Sequence, residues 1–298
     1  MKKKLVAIGL AAAVMAVGVG ALTGCGETAD GSVVNKAISR EAGSGTRGAF
    51  EELVKGSDGT TIAKALEEGK TFAACVSESS STAAVISAVS GRYDTLGYIS
   101  MGSLAANKDA VEAVSLNGVA ATTANVVNGT YTLSRPFNIV YKSYDGLSDL
   151  AKNFIDFIES TQIQTLIEQQ GYIKVEGLTV KDYTPYAGTL TKLKIDGSTS
   201  VQPLMNKIAE AFEALNSGVT VEVEGGGSGA GIADATSGTV DIGMSSRDLK
   251  ASEAESLQSR KIADDGIAVI VKKGSKCTNV TAAQLYDLYL NGTAIETK

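Results

Sequence analysis

Apolar positions along the chain alternate between strand-like runs and helix-like spacing. Residues 33–38 carry an apolar run typical of a buried strand, and apolar side chains in residues 50–54 follow at helical spacing. Residues 219–223 alternate apolar and polar positions like a strand, whereas residues 204–215 place their apolar side chains on one helical face. Strands that alternate with helices in this way predict an α/β fold.

Three predicted strand-to-helix junctions consist mainly of small and hydroxyl-bearing residues. The first spans residues 39–50 and reads Ser-Arg-Glu-Ala-Gly-Ser-Gly-Thr-Arg-Gly-Ala-Phe. The second spans residues 196–200, and the helix after it has Pro203 near its start, where a missing N–H costs nothing. The third spans residues 225–231 and reads Gly-Gly-Gly-Ser-Gly-Ala-Gly.

These junctions have the chemistry of a cradle for a tetrahedral oxyanion. Free N–H groups in the first turn of a helix point at a ligand there, and the helix dipole favours negative charge. Hydroxyl groups and the guanidinium groups of Arg40 and Arg47 add further donors. A single loop of this kind is more often an N-capped helix after a turn. Three of them in one chain favour anion binding.

A serine run at residues 79–81 precedes a predicted helix of small residues that starts at Thr82. Serine side chains accept hydrogen bonds from the first N–H groups of a helix, so capping is the favoured interpretation. Bordering a ligand cleft is the alternative. A second amphipathic helix is predicted from Leu147 to Ile158.

The N-terminus has the pattern of an export signal. Lys2, Lys3 and Lys4 precede an apolar stretch that ends in Leu22-Thr23-Gly24-Cys25. This ending resembles a bacterial lipoprotein box, so residues 1–24 are predicted to be a lipoprotein signal peptide, Cys25 to carry the lipid, and residues 25–31 to form a tether. A transmembrane anchor is the alternative, and the Gly- and Ala-rich composition favours the lipoprotein.

Composition excludes several classes of function. The net charge is −6, so there is no basic field for nucleic acid. The chain has no histidine, which excludes Ser-His triads and histidine metal sites. Cys75 and Cys277 either pair, which an exported protein permits, or remain free thiols.

The loop segments together resemble the phosphate-binding proteins that serve ABC-type phosphate importers. The resemblance rests on residues 39–50, 197–203, 225–231 and 241–249, and it is supported by residues 96–100 and 133–137. It covers nearly the whole chain after the predicted signal peptide.

The resemblance implies a two-lobed, periplasmic-binding-protein-like α/β fold of type II, with a ligand cleft between the lobes. One lobe would comprise residues 32–134 plus 273–298 and the other residues 137–265, with crossovers at 135–141 and 266–272. In the family the Gly-Ser-Thr loop usually comes first, whereas here the Arg-containing loop leads. The order predicts a circular permutation; a fragment of a tandem array is the less favoured explanation.

The resemblance also implies which residues bind phosphate. Ser246 stands where the family usually has an aspartate that accepts the proton of hydrogen phosphate, which puts rejection of sulfate in question. Arg47 either adds a second cation or forms a salt bridge with Glu41 or Glu51. The candidate phosphate-binding residues are Arg40, Ser44, Gly45, Thr46, Thr199, Ser200, Ser228 and Ser246, with Ser198, Arg47 and Gly229 as secondary candidates.

The implied function is capture of inorganic phosphate outside the cytoplasm and its delivery to the permease subunits of an ABC importer. The protein would be held at the membrane through Cys25, would need no cofactor or metal, and would have no catalytic residue. Two alternatives remain. Gly225, Gly227 and Ala230 fit a permissive dinucleotide-binding fingerprint, which predicts an exported enzyme. A surface adhesin on the same scaffold would not need the anion loops.

Overall fold

The computed structural model of the chain describes residues 30–297. The predicted signal peptide at residues 1–24, the lipidation site Cys25 and all of the tether except Asp30 and Gly31 lie outside the described residues. Within residues 30–297, none of the helices has the length and apolar character needed to cross a membrane.

Strands occur along the whole described chain. They are β1 Val33–Val34, β2 Lys36–Arg40, β3 Val76–Ser79, β4 Thr95–Ser100, β5 Val111–Ala113, β6 Ser115–Leu116, β7 Ser134–Tyr141, β8 Lys192–Gly197, β9 Thr220–Val223, β10 Ile242–Ser245, β11 Gln258–Lys272, β12 Asn279–Val280 and β13 Ile295–Glu296.

Helices alternate with these strands, as the apolar pattern predicted. They are α1 Gly45–Leu53, α2 Ile62–Glu67, α3 Thr82–Ser90, α4 Met101–Ala105, α5 Thr123–Val127, α6 Asp149–Ile158, α7 Thr161–Gln169, α8 Gln202–Leu215, α9 Ser228–Ser237, α10 Ala251–Ala254 and α11 Ala282–Asn291.

One large sheet connects the two halves of the molecule. Its strands lie in the order β3-β2-β4-β11-β7-β10-β8-β9, and β5 also pairs with β11. The outer strands pair in parallel, β2 with β3 and β4 on one side and β8 with β9 and β10 on the other. The long strand β11 joins them, because it pairs antiparallel with β7 up to Gly266 and with β4 from Ile267 onward.

The apolar side chains form two main cores rather than one. Phe154 and Phe212 lie in a core built from residues between Phe137 and Ala263. The other main core combines residues of the first part of the chain with the last helix, α11. The cores meet along β7 and β11, so these two strands are the covalent and hydrogen-bonded connection between two lobes.

Aromatic stacking fixes helix α1 in the lobe that contains α11. The rings of Phe50 and Tyr98 are stacked with centroids 4.0 Å apart, and the Tyr289 hydroxyl donates to the carbonyl oxygen of Ile38 at 2.9 Å. Stacked aromatic pairs add about 0.5–1.5 kcal/mol beyond the area that they bury. These contacts hold the N-terminus of α1 at the end of strand β2, next to Arg40.

The two cysteines of the described chain are not paired with each other. Cys277 is buried and Cys75 is half-buried, and both are free thiols. Burial raises the pKa of the Cys277 thiol to about 11, so this thiol stays protonated at neutral pH. Of the two possibilities that the sequence left open, the structure shows the free thiols.

Candidate functional site

Each of the three predicted junctions follows the carboxyl end of a strand that pairs in parallel within its own half of the sheet, β2 with β3 and β4 on one side and β8 with β9 on the other. Strand β2 ends at Arg40 and α1 begins at Gly45, β8 ends at Gly197 shortly before α8, and β9 is followed by α9 at Ser228. Ligands bind α/β sheets at this edge, because loops and helix N-termini converge there. The loop from one lobe therefore faces the two loops of the other.

Close approach between the lobes depends on glycine at position 45. A Cβ atom on Gly45 would lie 2.7 Å from Ser246 Oγ and 2.8 Å from Ser228 Oγ, which is closer than real Cβ atoms come. Gly227, which precedes α9, has φ +95°, a backbone conformation that residues other than glycine rarely adopt. The small residues of these loops thus allow backbone from both lobes to meet.

Seven side-chain hydroxyl groups, which we call the hydroxyl cluster, lie where the loops meet. Thr46 Oγ1 lies 2.9 Å from Ser200 Oγ, which joins α1 to the loop after β8. Ser246 Oγ accepts from Ser198 Oγ at 3.0 Å and lies 3.3 Å from Ser228 Oγ. The cluster is almost completely buried and comprises Thr46, Thr82, Ser198, Thr199, Ser200, Ser228 and Ser246.

Arg40 supplies the positive charge beside the hydroxyl cluster. Its side chain is only 3% exposed, and its Nη2 donates to Thr199 Oγ1 at 2.9 Å. The other edge of the guanidinium is occupied, because Nε and Nη2 donate to the two carboxylate oxygens of Glu41 at 2.8 and 2.7 Å. Arg40 therefore presents Nη1 and part of Nη2 to the cluster.

Arg47 does not add a second cation to the cluster. Its Nε donates to Glu51 at 2.6 Å and its Nη1 donates to Glu78 at 2.7 Å. Burial acts to lower the pKa of Arg47, but the hydrogen bond and charge of Glu51 outweigh it, so the pKa is raised. The structure thus shows the salt-bridge alternative, with Glu51 and Glu78 as the partners.

Two other candidates make structural contacts. The Ser44 hydroxyl caps α1 by accepting from the backbone N–H of Arg47 at 3.4 Å. The N–H of Gly229 donates to the carbonyl oxygen of Gly43 at 3.1 Å, so it ties α9 to the first loop. The first contact fixes the start of α1, and the second holds the start of α9 against the loop before α1.

Sequence reasoning missed two residues that contact the site. Thr82, the first residue of α3, lies with its hydroxyl 3.3 Å from Arg40 Nη1. The serine run before it indicated a helix start next to a cleft, but the capping interpretation was favoured; Ser81 is indeed the cap. Glu41 was considered as a partner of Arg47, whereas its carboxylate binds Arg40.

The arrangement suits a small anion that accepts hydrogen bonds on all sides. Several neutral donors converge with one arginine, and neutral dipoles can hold an anion without a matching countercharge. The helices α1 and α9 both begin at the cluster, so their positive dipole ends face it. Such a site fits a tetrahedral oxyanion.

Comparison with known proteins shows the family of this chain. The PBP superfamily domain matches residues 34–162 and 184–296. The phosphate-binding protein PstS 2 of Streptococcus pneumoniae serotype 4 is 40% identical over 265 residues, which cover 88% of this chain and 86% of the relative. The chain belongs to the phosphate-binding protein family of the PBP superfamily.

Further relatives extend this assignment. Phosphate-binding protein PstS 2 of Streptococcus agalactiae serotype V is 36% identical over 93% of this chain and 92% of the relative. The crystal structure of a phosphate ABC transporter, phosphate-binding protein from Streptococcus pneumoniae TIGR4 has a TM-score of 0.64 and 38% identity, covering 89% of this chain and all of that chain.

Membership in the phosphate-binding protein family confirms the α/β, two-lobed fold class. The relatives are named as binding proteins, which favours a binding protein over the dinucleotide-binding enzyme that Gly225, Gly227 and Ala230 suggested. The circular permutation is not confirmed by these comparisons and stays a prediction.

Proposed function

We propose that the protein captures inorganic phosphate outside the cytoplasm and delivers it to an ABC importer. The observation that carries the proposal is that the buried Arg40 side chain donates hydrogen bonds to hydroxyl groups of both lobes, those of Thr82 and Thr199. Family members of similar length are named as phosphate-binding proteins. No catalytic residue, metal or cofactor forms part of the proposal.

Phosphate would lie within the hydroxyl cluster and replace hydroxyl–hydroxyl contacts by charge-assisted hydrogen bonds, which are about twice as strong. The proposed phosphate-binding residues are the eight named from the sequence, Arg40, Ser44, Gly45, Thr46, Thr199, Ser200, Ser228 and Ser246. Ser198 supports them through its hydrogen bond to Ser246.

Closure of two lobes around the ligand completes the site. We place one lobe at residues 32–134 plus 273–298 and the other at 137–265, with crossovers at 135–141 and 266–272. The two main cores support this division, since Leu133 and Tyr289 belong to one and Phe154 and Ala263 to the other. In the structure the lobes already meet at the site, since Thr46 Oγ1 lies 2.9 Å from Ser200 Oγ, and hinge opening about the crossovers would separate the two residues to admit the ligand.

The protein would act at the outer face of the cell membrane, held there by a lipid. Residues 1–24 would be removed as a signal peptide, and Cys25 would carry the acyl chains on a tether of residues 25–31. Loaded protein would then dock on the permease subunits of the importer. Mass spectrometry of the exported protein tests the anchor, because an unmodified Cys25 would contradict it.

Calorimetry with phosphate, arsenate, sulfate and NAD tests the ligand. We expect phosphate and arsenate to bind, because they share a tetrahedral shape and a protonation state near neutral pH. Binding of NAD in preference to phosphate would support the dinucleotide-binding enzyme. Absence of binding to any of the four would favour a surface adhesin and refute the proposal.

A further inference from the structure

The position of Thr82 in the hydroxyl cluster is fixed by its own helix. It is the first residue of α3, which has nine residues. The Ser81 hydroxyl caps this helix by accepting from the backbone N–H of Ala84 at 3.1 Å. The cap already satisfies the helix end, so the 5% exposed Thr82 is free to direct both its hydroxyl and its N–H elsewhere.

Both polar groups of Thr82 point at other members of the hydroxyl cluster. Its Oγ1 lies 3.3 Å from Arg40 Nη1, 3.2 Å from Thr199 Oγ1 and 3.3 Å from Ser200 Oγ. Its backbone N–H donates to Thr199 Oγ1 at 3.4 Å. The helix thus brings two donors from a segment that lies 117 positions from Thr199 in the sequence.

These contacts are long for hydrogen bonds between hydroxyl groups. Hydrogen bonds of this type usually measure about 2.7–2.8 Å, and a hydroxyl carries one proton to donate. The Thr82 hydroxyl cannot donate to Thr199 and Ser200 at once. Donors that converge at such distances are better satisfied by a shared acceptor with several lone pairs, such as the oxygens of an anion.

We propose that Thr82 is a further phosphate-binding residue, whose hydroxyl and backbone N–H donate to the anion held by Arg40, Thr199 and Ser200. The proposal rests on the proposed function and extends it to a third helix N-terminus, that of α3. Its donors are neutral, so Thr82 adds hydrogen bonds without adding charge.

The surroundings of Thr82 fit this role. Thr82 and Thr199 both line a cavity of about 420 Å³ that opens to solvent between α3, α4 and the start of α8. Ile86 and Pro203 contribute apolar walls. Thr82 therefore lies between the other members of the hydroxyl cluster and this cavity.

Isothermal calorimetry with inorganic phosphate on the full mature protein tests the proposal. Thr82→Val keeps the side-chain shape and removes the hydroxyl, so we expect affinity to fall by about tenfold or more. Thr82→Ser keeps the hydroxyl and should stay within about threefold of wild type. Ser81→Ala is the matched control, since it weakens the same helix end without touching the cluster.

The outcomes separate this proposal from the proposed function. A wild-type protein that does not bind phosphate refutes the proposed function. Wild-type binding together with unchanged affinity in Thr82→Val overturns the role of Thr82 alone. Equal losses in Thr82→Val, Thr82→Ser and Ser81→Ala would also overturn it, because the helix end and not the hydroxyl would then be responsible. Should Thr82→Val fail to fold in thermal unfolding, Thr82→Ala takes its place with the same expectation.

Discussion

Arg40 Nη2 donates to Thr199 Oγ1 at 2.9 Å, although 159 positions separate the two residues in the chain. Arg40 ends strand β2 of one lobe and Thr199 follows strand β8 of the other, so this hydrogen bond spans the cleft. Both side chains are buried. A phosphate would need the charge of Arg40 and hydroxyl groups that orient it. Contact between the two lobes brings these groups together.

Arg40→Ala should weaken phosphate binding by at least about 2 kcal/mol, because the anion would lose a buried charge-assisted partner. Calorimetry on the folded variant measures the loss. Arg47→Ala is the control, since Arg47 is paired with Glu51 and Glu78 outside the cluster. Unchanged phosphate affinity in Arg40→Ala would remove Arg40 from the site.

Substitutions at the start of α9 test the glycine-rich loop. Ser228→Ala should weaken phosphate binding by about 1 kcal/mol or more while the fold stays intact. Gly227→Val should lower affinity further, because Gly227 has φ +95° and a side chain there would strain the loop and block the anion. Thermal unfolding controls for stability. Normal binding by both variants would place the ligand in a different pocket.

Ser246 should govern discrimination between phosphate and sulfate. Serine has no charge, so we expect the protein to prefer phosphate and yet tolerate sulfate better than a version with aspartate. Ser246→Asp should reject sulfate more strongly, since a desolvated carboxylate facing a fully ionised anion is strongly unfavourable.

Competition calorimetry at neutral pH measures this discrimination. Ser246→Asn has the size of aspartate without its charge, so it separates repulsion from crowding against Gly45. Equal sulfate rejection by the wild type and Ser246→Asp would show that another group already supplies the proton acceptor. Glu41, bound to Arg40, would be the first carboxylate to examine.

The buried pair Arg135 and Asp265 should be essential for stability at the junction of the lobes. The two residues lie directly opposite on β7 and β11, with Arg135 Nη2 3.3 Å from Asp265 Oδ2. Asp265→Asn should lower the free energy of unfolding by about 3–5 kcal/mol, because it leaves a buried arginine uncompensated. Urea unfolding measures this change.

A matched double variant checks the cause. Arg135→Met combined with Asp265→Leu removes both charges, so it should be less destabilised than Asp265→Asn alone. A double variant that is less stable than Asp265→Asn would contradict this explanation. It would show that the attraction between the two charges stabilises the junction beyond the cost of burying them.

Asp94 should make the stability of the fold depend on pH in the acid range. Its side chain is almost completely buried and lies within 3.3 Å of Lys36 and 2.6 Å of Arg92. Hydrogen bonds from Arg92 lower the pKa of Asp94 to about 2, so its contribution to the free energy of unfolding is present above about pH 4 and is lost as pH falls from about 4 to 2.

Urea unfolding across pH 2–7 measures this dependence. Asp94→Asn should flatten the curve of unfolding free energy against pH below about pH 4. Curves of the same shape for the wild type and Asp94→Asn would show that this carboxyl group titrates alike in the folded and unfolded states.

The sequence by itself determined the local units of this protein. Apolar periodicity predicted the alternation of strands and helices, and the small residues of the junctions predicted helix N-termini ready for an anion, with Arg40 beside them. These features are readable because they depend on neighbours only a few residues apart. The resemblance of the loops to the phosphate-binding proteins extended them to a fold and a ligand.

Only the tertiary structure decided which distant side chains meet. Arg47 had the choice of the site or a carboxylate, and the structure pairs it with Glu51 on the same helix and with Glu78 on β3. Thr82 joins the hydroxyl cluster because α3 packs beside β2 and β4, although its own segment indicates no more than a helix start. Spacing along the chain fixes the direction of a side chain on its own element, whereas its partners on other elements depend on how those elements pack together.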